Sequence, residues 1–195
     1  MLQKLLAIAT RHGSSSGIPT QYPRLMIRST VAPTPPIPAL FEPKFYLLLQ
    51  GAKRMTIAGS TFDCSAGACA VASVGLPFVS EVVEASPTKP YLSVELKLDA
   101  GIVASLLLDM REQNPTEWQP GAISLARANE SLVEPLGRLL RLLDAPSEIP
   151  VLAAQLEREL YYRLLSGPLG GRLRQIGANN SRFSQIKMAA EWIGQ

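Results

Sequence analysis

Residues 91–98 read Tyr-Leu-Ser-Val-Glu-Leu-Lys-Leu. In an extended chain Leu92, Val94, Leu96 and Leu98 fall on one side and Tyr91, Ser93, Glu95 and Lys97 on the other, the period-two pattern of a strand with one buried and one wetted face. Working back from it, the runs Phe45–Gln50, Lys53–Ile57, Thr61–Cys64, Ala68–Val74 and Val79–Ala85 are equally short. They are divided by Gly51, by Ala58-Gly59-Ser60, by Gly67, by Leu76-Pro77 and by a loop holding Pro87 and Pro90. Short strands at close spacing between turn residues are the mark of antiparallel sheet, and a small barrel or sandwich follows.

Forward from residue 98 the period changes. Asp99 suits an N-cap for a helix running through Met110, because its carboxylate can accept from the free amides of the first turn. Leu132, Val133, Leu136, Leu139, Leu140 and Leu143 recur at helical spacing in one stripe. Ser131 and Glu134 fit a capping box for this helix, while Pro135 favours a first-turn position and leaves the start open by a turn. A further helix spans Ile149–Leu165 and stops at Ser166-Gly167-Pro168. Two shorter ones, Leu169–Gly177 and Ser181–Ile193, follow, the last with Phe183, Ile186, Ala190 and Ile193 on one face. That face is still in register near Gln195, the expectation being that the chain is cut inside a longer protein. The stripe at 132–143 is wide enough for two contacts, an intramolecular one and a dimer seam.

Backward from residue 45 lies a segment with seven prolines, at 19, 23, 33, 35, 36, 38 and 43. Each removes a backbone donor and fixes φ, so the segment reads as an extended arm in which only Leu25–Ser29 can be a strand. An amphipathic helix over Met1–His12 precedes it. The expected divisions are therefore a helix and proline-rich arm at 1–41, a barrel at 42–130 and a helical segment at 131–195.

Composition narrows the function. The 195 residues carry a net charge of +3 and a single imidazole, His12. One histidine leaves little for general base work, a triad or a metal site, and no two carboxylates among Glu42, Glu81, Glu84 and Glu95 are placed face to face by spacing. No catalytic, metal or cofactor residue is therefore assigned. Cys64 and Cys69 lack the spacing of a zinc or redox motif; burial of two small side chains and thiol sensing are the readings to separate. No apolar run reaches the roughly 20 residues needed to span a bilayer, and a reducing cytoplasm fits. From Leu160 to Ala190 there are five basic residues and no acid, either a solvated helix surface or one facing nucleic acid.

Several stretches resemble the N-terminal regulatory domain of AraC-type bacterial transcriptional regulators. Glu42-Pro43 followed by Leu49-Gln50-Gly51-Ala52-Lys53-Arg54 is similar to that family's E-P and L-Q-G-x-K-R, and Glu84-Ala85-Ser86-Pro87-Thr88-Lys89-Pro90-Tyr91 to its E-A-S-P-x-x-P-Y. Arg141–Pro146 and Arg158–Pro168 resemble its helical part. Gly75, where an acid is commoner, and the Cys64-Ser65-Ala66-Gly67 turn depart from the pattern. The resemblance implies an α+β domain, a cupin-like antiparallel barrel of jelly-roll type followed by a helical dimerisation segment. It also implies a small-molecule effector, a homodimer, and DNA contact only through helix-turn-helix units that this chain lacks. Strand parity then assigns Tyr46, Leu48, Gln50, Phe78 and Val94 to the effector, and helical spacing assigns Val133, Leu136, Leu140 and Leu143 to the partner subunit. Two other readings are a small cupin-type enzyme and a stand-alone oligomerisation module.

Overall fold

The computed structural model describes residues 2–14, 19–40, 42–73, 75, 77–110 and 123–177. Strands β1 (Leu25–Thr30), β8 (Tyr91–Lys97), β3 (Lys44–Gln50), β6 (Ala68–Ala72) and β9 (Ile123–Arg127) form one sheet in that spatial order. A second sheet has the order β2 (Ile37–Leu40), β7 (Pro77–Glu84), β4 (Ala52–Ile57) and β5 (Ser60–Ser65). Every pairing within them is antiparallel. The sheets face each other in a cupin-like sandwich, and among the described residues no ladder closes them into a barrel.

The first sheet is covered on both faces. Leu47, Leu49, Val71, Leu92, Val94 and Leu96 point to the helical side, in a core shared with α1 (Leu2–His12), α2 (Ala100–Asp109), α3 (Glu130–Arg141), α4 (Ile149–Leu165) and a helix at 170–177. Tyr46, Leu48, Ala70 and Tyr91 point the other way, into a second core with Met55, Ile57, Cys64, Phe78 and Val82 of the opposing sheet. The expectation of a wetted face on β8 is therefore overturned: Tyr91, Ser93 and Glu95 are 2%, 0% and 5% exposed. Alternation reports that the faces differ, and here the polar face is roofed by a second sheet.

The proline-rich arm takes a larger part than expected. It supplies β1, which pairs with β8 over Leu25–Thr30, and also β2, which pairs with β7. β2 contains Pro38 and lies at a sheet edge with all four residues exposed, the position where a strand tolerates a missing donor. β9, at the opposite edge of the larger sheet, has only five residues and was not anticipated.

Asp99 caps α2 as expected, its Oδ1 accepting from the Gly101 and Ile102 amides at 2.7 and 3.2 Å. α3 starts earlier than the capping-box reading: Asn129 Oδ1 accepts from Leu132 N at 3.2 Å and from the Ser131 hydroxyl at 2.8 Å, and Pro135 lies inside the helix. Val133, Leu136, Leu140 and Leu143 are 4%, 0%, 0% and 3% exposed, enclosed by the chain's own helices. Among the described residues Leu136, Leu140 and Leu143 offer no free surface to a partner, because α1 and α4 both pack on α3, while Val133 borders a groove between α1 and α3. Of the acid-free stretch, Arg172 is 2% exposed, Arg174 Nη1 donates to Leu165 O at 3.0 Å and Arg163 is exposed beside Glu159, while Arg182 and Lys187 lie outside the described residues. The expected helix at Ser181–Ile193 lies outside the described residues. Among the described residues no helix is long and apolar enough to cross a membrane.

Gly51 sits where the chain passes from β3 in one sheet to β4 in the other. Its φ is +84°, and a Cβ there would lie 2.5 Å from Glu84 O and 3.1 Å from Tyr91 Cα. Gly59, at the β4–β5 turn, has φ +80° with nothing within 4 Å. In urea unfolding Gly51→Ala is expected to lose more than about 3 kcal/mol, from strain plus backbone collision, and Gly59→Ala only about 1 kcal/mol, from strain alone. Equal losses would contradict this account of the crossing.

Candidate functional site

Between the sheets, at the end covered by β2, lies a cavity of about 280 Å³. Ile37, Leu40, Phe78 and Val82 make its apolar wall, and Arg28, Lys44, Lys53, Tyr91 and Glu95 supply most of its polar groups. A groove of about 390 Å³ also runs between α1 and α3, but the inter-sheet cavity is where charged groups from three strands of one sheet and one of the other converge. Strand parity explains the convergence. Lys53 is in phase with Met55 and Ile57, Lys44 with Tyr46 and Leu48, and Glu95 with Tyr91, so each points inward with its apolar neighbours.

Glu95 is the anion of this cluster. Arg28 Nε donates to its Oε1 at 2.8 Å and Lys44 Nζ to its Oε2 at 2.8 Å. Burial pushes the Glu95 carboxyl upward, but the cations of Lys44 and Arg28 outweigh it and hold it below the usual carboxylate range. Lys53 Nζ lies 5.4 Å from the Tyr46 ring centre and 5.9 Å from that of Phe78. Burial lowers the Lys53 ammonium to about 8 against the opposing pull of Glu95. The Tyr46 and Tyr91 hydroxyls are 3.1 Å apart. Burial raises both phenols, Tyr91 to about 12, so both are neutral near pH 7.

Of the residues that parity assigned to an effector, Phe78 lines the cavity and Tyr46 lines its narrow inner end. Leu48 packs in the same inter-sheet core. Gln50 does not line the cavity: it lies at the far end of β3 from Lys44, its Nε2 donating to Pro90 O at 2.7 Å. Val94 must be withdrawn: it faces the helices, paired with Leu47, because the inward side of β8 is the one carrying Glu95. The residues that sequence reasoning passed over are Arg28, Lys44, Lys53, Tyr91 and Glu95. Alternation contained the signal for Lys53 and Lys44, which interrupt otherwise apolar inward positions.

The other chemical candidates dissolve on inspection. Cys64 is buried in the inter-sheet core and Cys69 in the helical one; burial raises both thiols, Cys69 to about 11, which opposes thiolate formation. His12 Nε2 lies 2.8 Å from Asp144 Oδ1, in a pairing that fastens the end of α1. Among the described residues no three His, Cys, Asp or Glu side chains gather as a metal set.

The family described as AraC-type transcriptional regulator N-terminus matches residues 21–172, most of the chain. The chain belongs to this family. Solved structures similar to this AraC-type domain include unsaturated fatty acid bound wild-type ToxT from Vibrio cholerae, at 9% identity over 72% of this chain and 55% of that one, TM-score 0.44. The AraC-like transcriptional activator CuxR is similar at 12% identity over 80% of this chain and 52% of that one, TM-score 0.39. A cupin protein from Bacteroides fragilis is similar at 18% identity over 37% of this chain and 64% of that one, TM-score 0.24. The chain thus spans about half the length of the two regulators. No curated protein matches it.

In this AraC-type domain β1 joins the cavity to the helices. Arg28 reaches Glu95 from its middle, while Arg24, just before its first residue, pairs with Asp99 at 2.7 Å and with Glu157 of α4. Glu157, 1% exposed, also accepts from Tyr22 at 2.5 Å and from Tyr161 at 3.2 Å. Tyr161 Oη in turn accepts from the Asp99 amide at 2.7 Å.

Glu95→Gln leaves Arg28 and Lys44 without their anion. Deleting one partner of a buried pair costs roughly 3–5 kcal/mol, and the 43% exposure of the Arg28 side chain brings the expected loss at pH 7 nearer to about 2 kcal/mol. Because the folded-state carboxyl titrates below its ordinary value, its contribution is present above about pH 4.5 and is lost as pH falls through the folded value. The stability gap between wild type and variant is therefore expected to narrow from pH 5 downward; a gap constant across that range would rule out an ionised Glu95 as its source.

Proposed function

We propose that this AraC-type regulatory domain senses a small-molecule effector in the cavity between its two sheets and passes the outcome to a DNA-binding unit. The observation that carries the reading is the inward convergence of Arg28, Lys44, Lys53 and Glu95 around a space of about 280 Å³ that Ile37, Leu40, Phe78 and Val82 also line. A concavity in which placed polar groups stand beside apolar side chains can fix both the position and the orientation of a small ligand. Membership of a regulatory family supports sensing over turnover, and the single histidine, engaged with Asp144 on α1, stands apart from the cavity. The reading is of a non-enzymatic cytoplasmic protein.

β1 is the element through which the cavity would act on the helices. A ligand that draws Arg28 or Glu95 shifts the strand whose leading residue, Arg24, is bound to Glu157 on α4 and to Asp99 at the α2 cap. Such a switch needs only that the ligand bind one arrangement of β1 more tightly than another. The working unit in this reading is a homodimer joined through a surface other than the buried stripe of α3.

Ala39 is exposed on β2 and borders the cavity, so Ala39→Trp places an indole in the space without disturbing a buried position. When metabolite mixtures are screened by thermal denaturation, at least one is expected to raise the wild-type midpoint and to leave Ala39→Trp unmoved. The reading fails when no mixture moves the wild type, or when every active one moves both proteins equally.

A further inference from the structure

We propose that the effector is a small phosphomonoester, whose doubly charged phosphoryl group is held between the sheets by Lys53 from one side and Arg28 from the other. This rests on the sensing reading and adds the ligand's chemical class and the groups that read it.

The lining carries an excess of positive charge. Arg28, Lys44 and Lys53 bring three positive charges and Glu95 one negative charge, a net +2, and no other lining residue is charged. The cations are close enough to oppose one another. Burial takes the Lys53 ammonium down to about 8, and the like charges of Lys44 and Arg28 add to that effect while Glu95 opposes it. A ligand with two negative charges cancels the whole excess, and one with a single charge leaves half of it.

The cavity also has donors to spare and few acceptors. Both oxygens of Glu95 are taken, one by Arg28 Nε and the other by Lys44 Nζ. Among the described residues Lys53 Nζ has neither a hydrogen bond nor an ion pair and lies over the faces of Tyr46 and Phe78. Ring faces attract a cation but do not accept its three N–H bonds as an oxygen does. The two terminal nitrogens of Arg28 likewise have no acceptor among the described residues. Thr34 Oγ1 accepts from Val82 N at 2.9 Å and keeps its own hydrogen to donate. Such a lining suits a ligand group that only accepts, and a phosphomonoester dianion, with three strong acceptor oxygens, is one.

Direction separates phosphoryl from carboxylate. Arg28 and Lys44 stand on the larger sheet, whereas Lys53 stands on the smaller one, level with Val82 of the neighbouring strand. An anion between the sheets therefore meets cations on two sides. The two oxygens of a carboxylate lie in one plane, while three phosphoryl oxygens spread as a pyramid and turn to both sheets at once. The fork of an arginine and the point charge of a lysine are both common phosphate partners. The phosphoryl group fills only part of about 280 Å³, and Ile37, Leu40, Phe78 and Val82, which also line the space, are left for the carbon body.

The test titrates phenyl phosphate, glycerol phosphate and inorganic phosphate calorimetrically against wild type, Lys53→Met, Lys53→Arg and Ala39→Trp, with methyl phenyl phosphate and phenylacetate as singly charged counterparts. At least one of the two monoesters is expected to bind wild type about tenfold or more tightly than the singly charged compounds and than inorganic phosphate. That monoester is expected to weaken by a similar factor in Lys53→Met, to recover in Lys53→Arg and to be blocked in Ala39→Trp. Its affinity is expected to be highest between about pH 6, below which the phosphoryl group loses its second charge, and about pH 8, above which the Lys53 ammonium of the free protein loses its proton. The other groups that titrate around Lys53 hold their state there: Glu95 is ionised, and Tyr46, Tyr91 and Cys64 are neutral. Lys53→Met removes a buried charge, so its thermal midpoint is expected to stay at or above wild type, which separates lost binding from lost folding.

The proposal is overturned when a singly charged compound or inorganic phosphate binds as tightly as the monoesters, when Lys53→Met binds them unchanged, or when affinity does not fall below about pH 6. In each case blockage of the bound compound by Ala39→Trp leaves the sensing reading standing. Monoester binding that persists in Ala39→Trp places the ligand outside the cavity and overturns the proposal as well. So does a failure of both monoesters to bind wild type, and the metabolite screen then decides separately whether the cavity senses anything.

Discussion

The carboxylate of Glu95 lies between two sheets, with one oxygen on Arg28 and the other on Lys44. An ion taken that far from water is costly unless its partners are close and well directed. Here the partners come from the two strands that flank β8, so β1 and β3 must hold their register for the charge to be satisfied. The same requirement brings three polar residues to one end of an otherwise apolar core. The cavity lies among these side chains, whereas Leu48 and Met55 belong to the apolar inter-sheet core. Cavity and charge cluster thus have a common origin in the inward face of one strand.

The opposite face of β8 has a different task. Leu92, Val94 and Leu96 close against the helices and leave no polar group on that side of the strand. The helical layer is tied to the sheet instead at the strand ends, where Arg24, Tyr22, Tyr161 and Asp99 surround the buried Glu157. Two buried carboxylates therefore sit at the two ends of β1's influence, one in each core, each held by an arginine from within or next to that strand. A displacement of β1 along its length changes both arginine contacts together, whereas a displacement of β4 or β7 changes neither directly.

Most of the architecture was legible because period survives without tertiary context. The breaks at Gly51, Gly59 and Gly67, the strands between them, the Asp99 cap and the helix stop at Ser166-Gly167 follow from local chemistry. What escaped depended on which layer covers which face. Tyr91, Ser93 and Glu95 are polar by type and read as a wetted face, since alternation cannot reveal a second sheet above them. Val94 entered the ligand set through the same inversion. The leucines of α3 were too many for one contact by spacing alone, and α1 accounts for the excess: a Cβ on Gly137 would lie 3.0 Å from Leu5. In the arm, prolines argued against a sheet, yet at an edge a missing donor costs nothing in the ladder, and β2 forms there.

That edge position bears on how the cavity can respond. β2 has four residues, all exposed, a single neighbouring strand and a proline among its members, so its own contacts hold it weakly. Elements with few buried contacts open at the low end of a protein's free-energy range. Yet Ile37, Ala39 and Leu40 form part of the cavity wall, opposite Lys44 and Glu95 on the two central strands. A molecule in this space would touch the least anchored strand on one side and the most constrained strands on the other. Its binding energy would accordingly be divided unequally between arrangements in which β2 is seated and those in which it is not, and that inequality is the thermodynamic requirement for a ligand to shift a population.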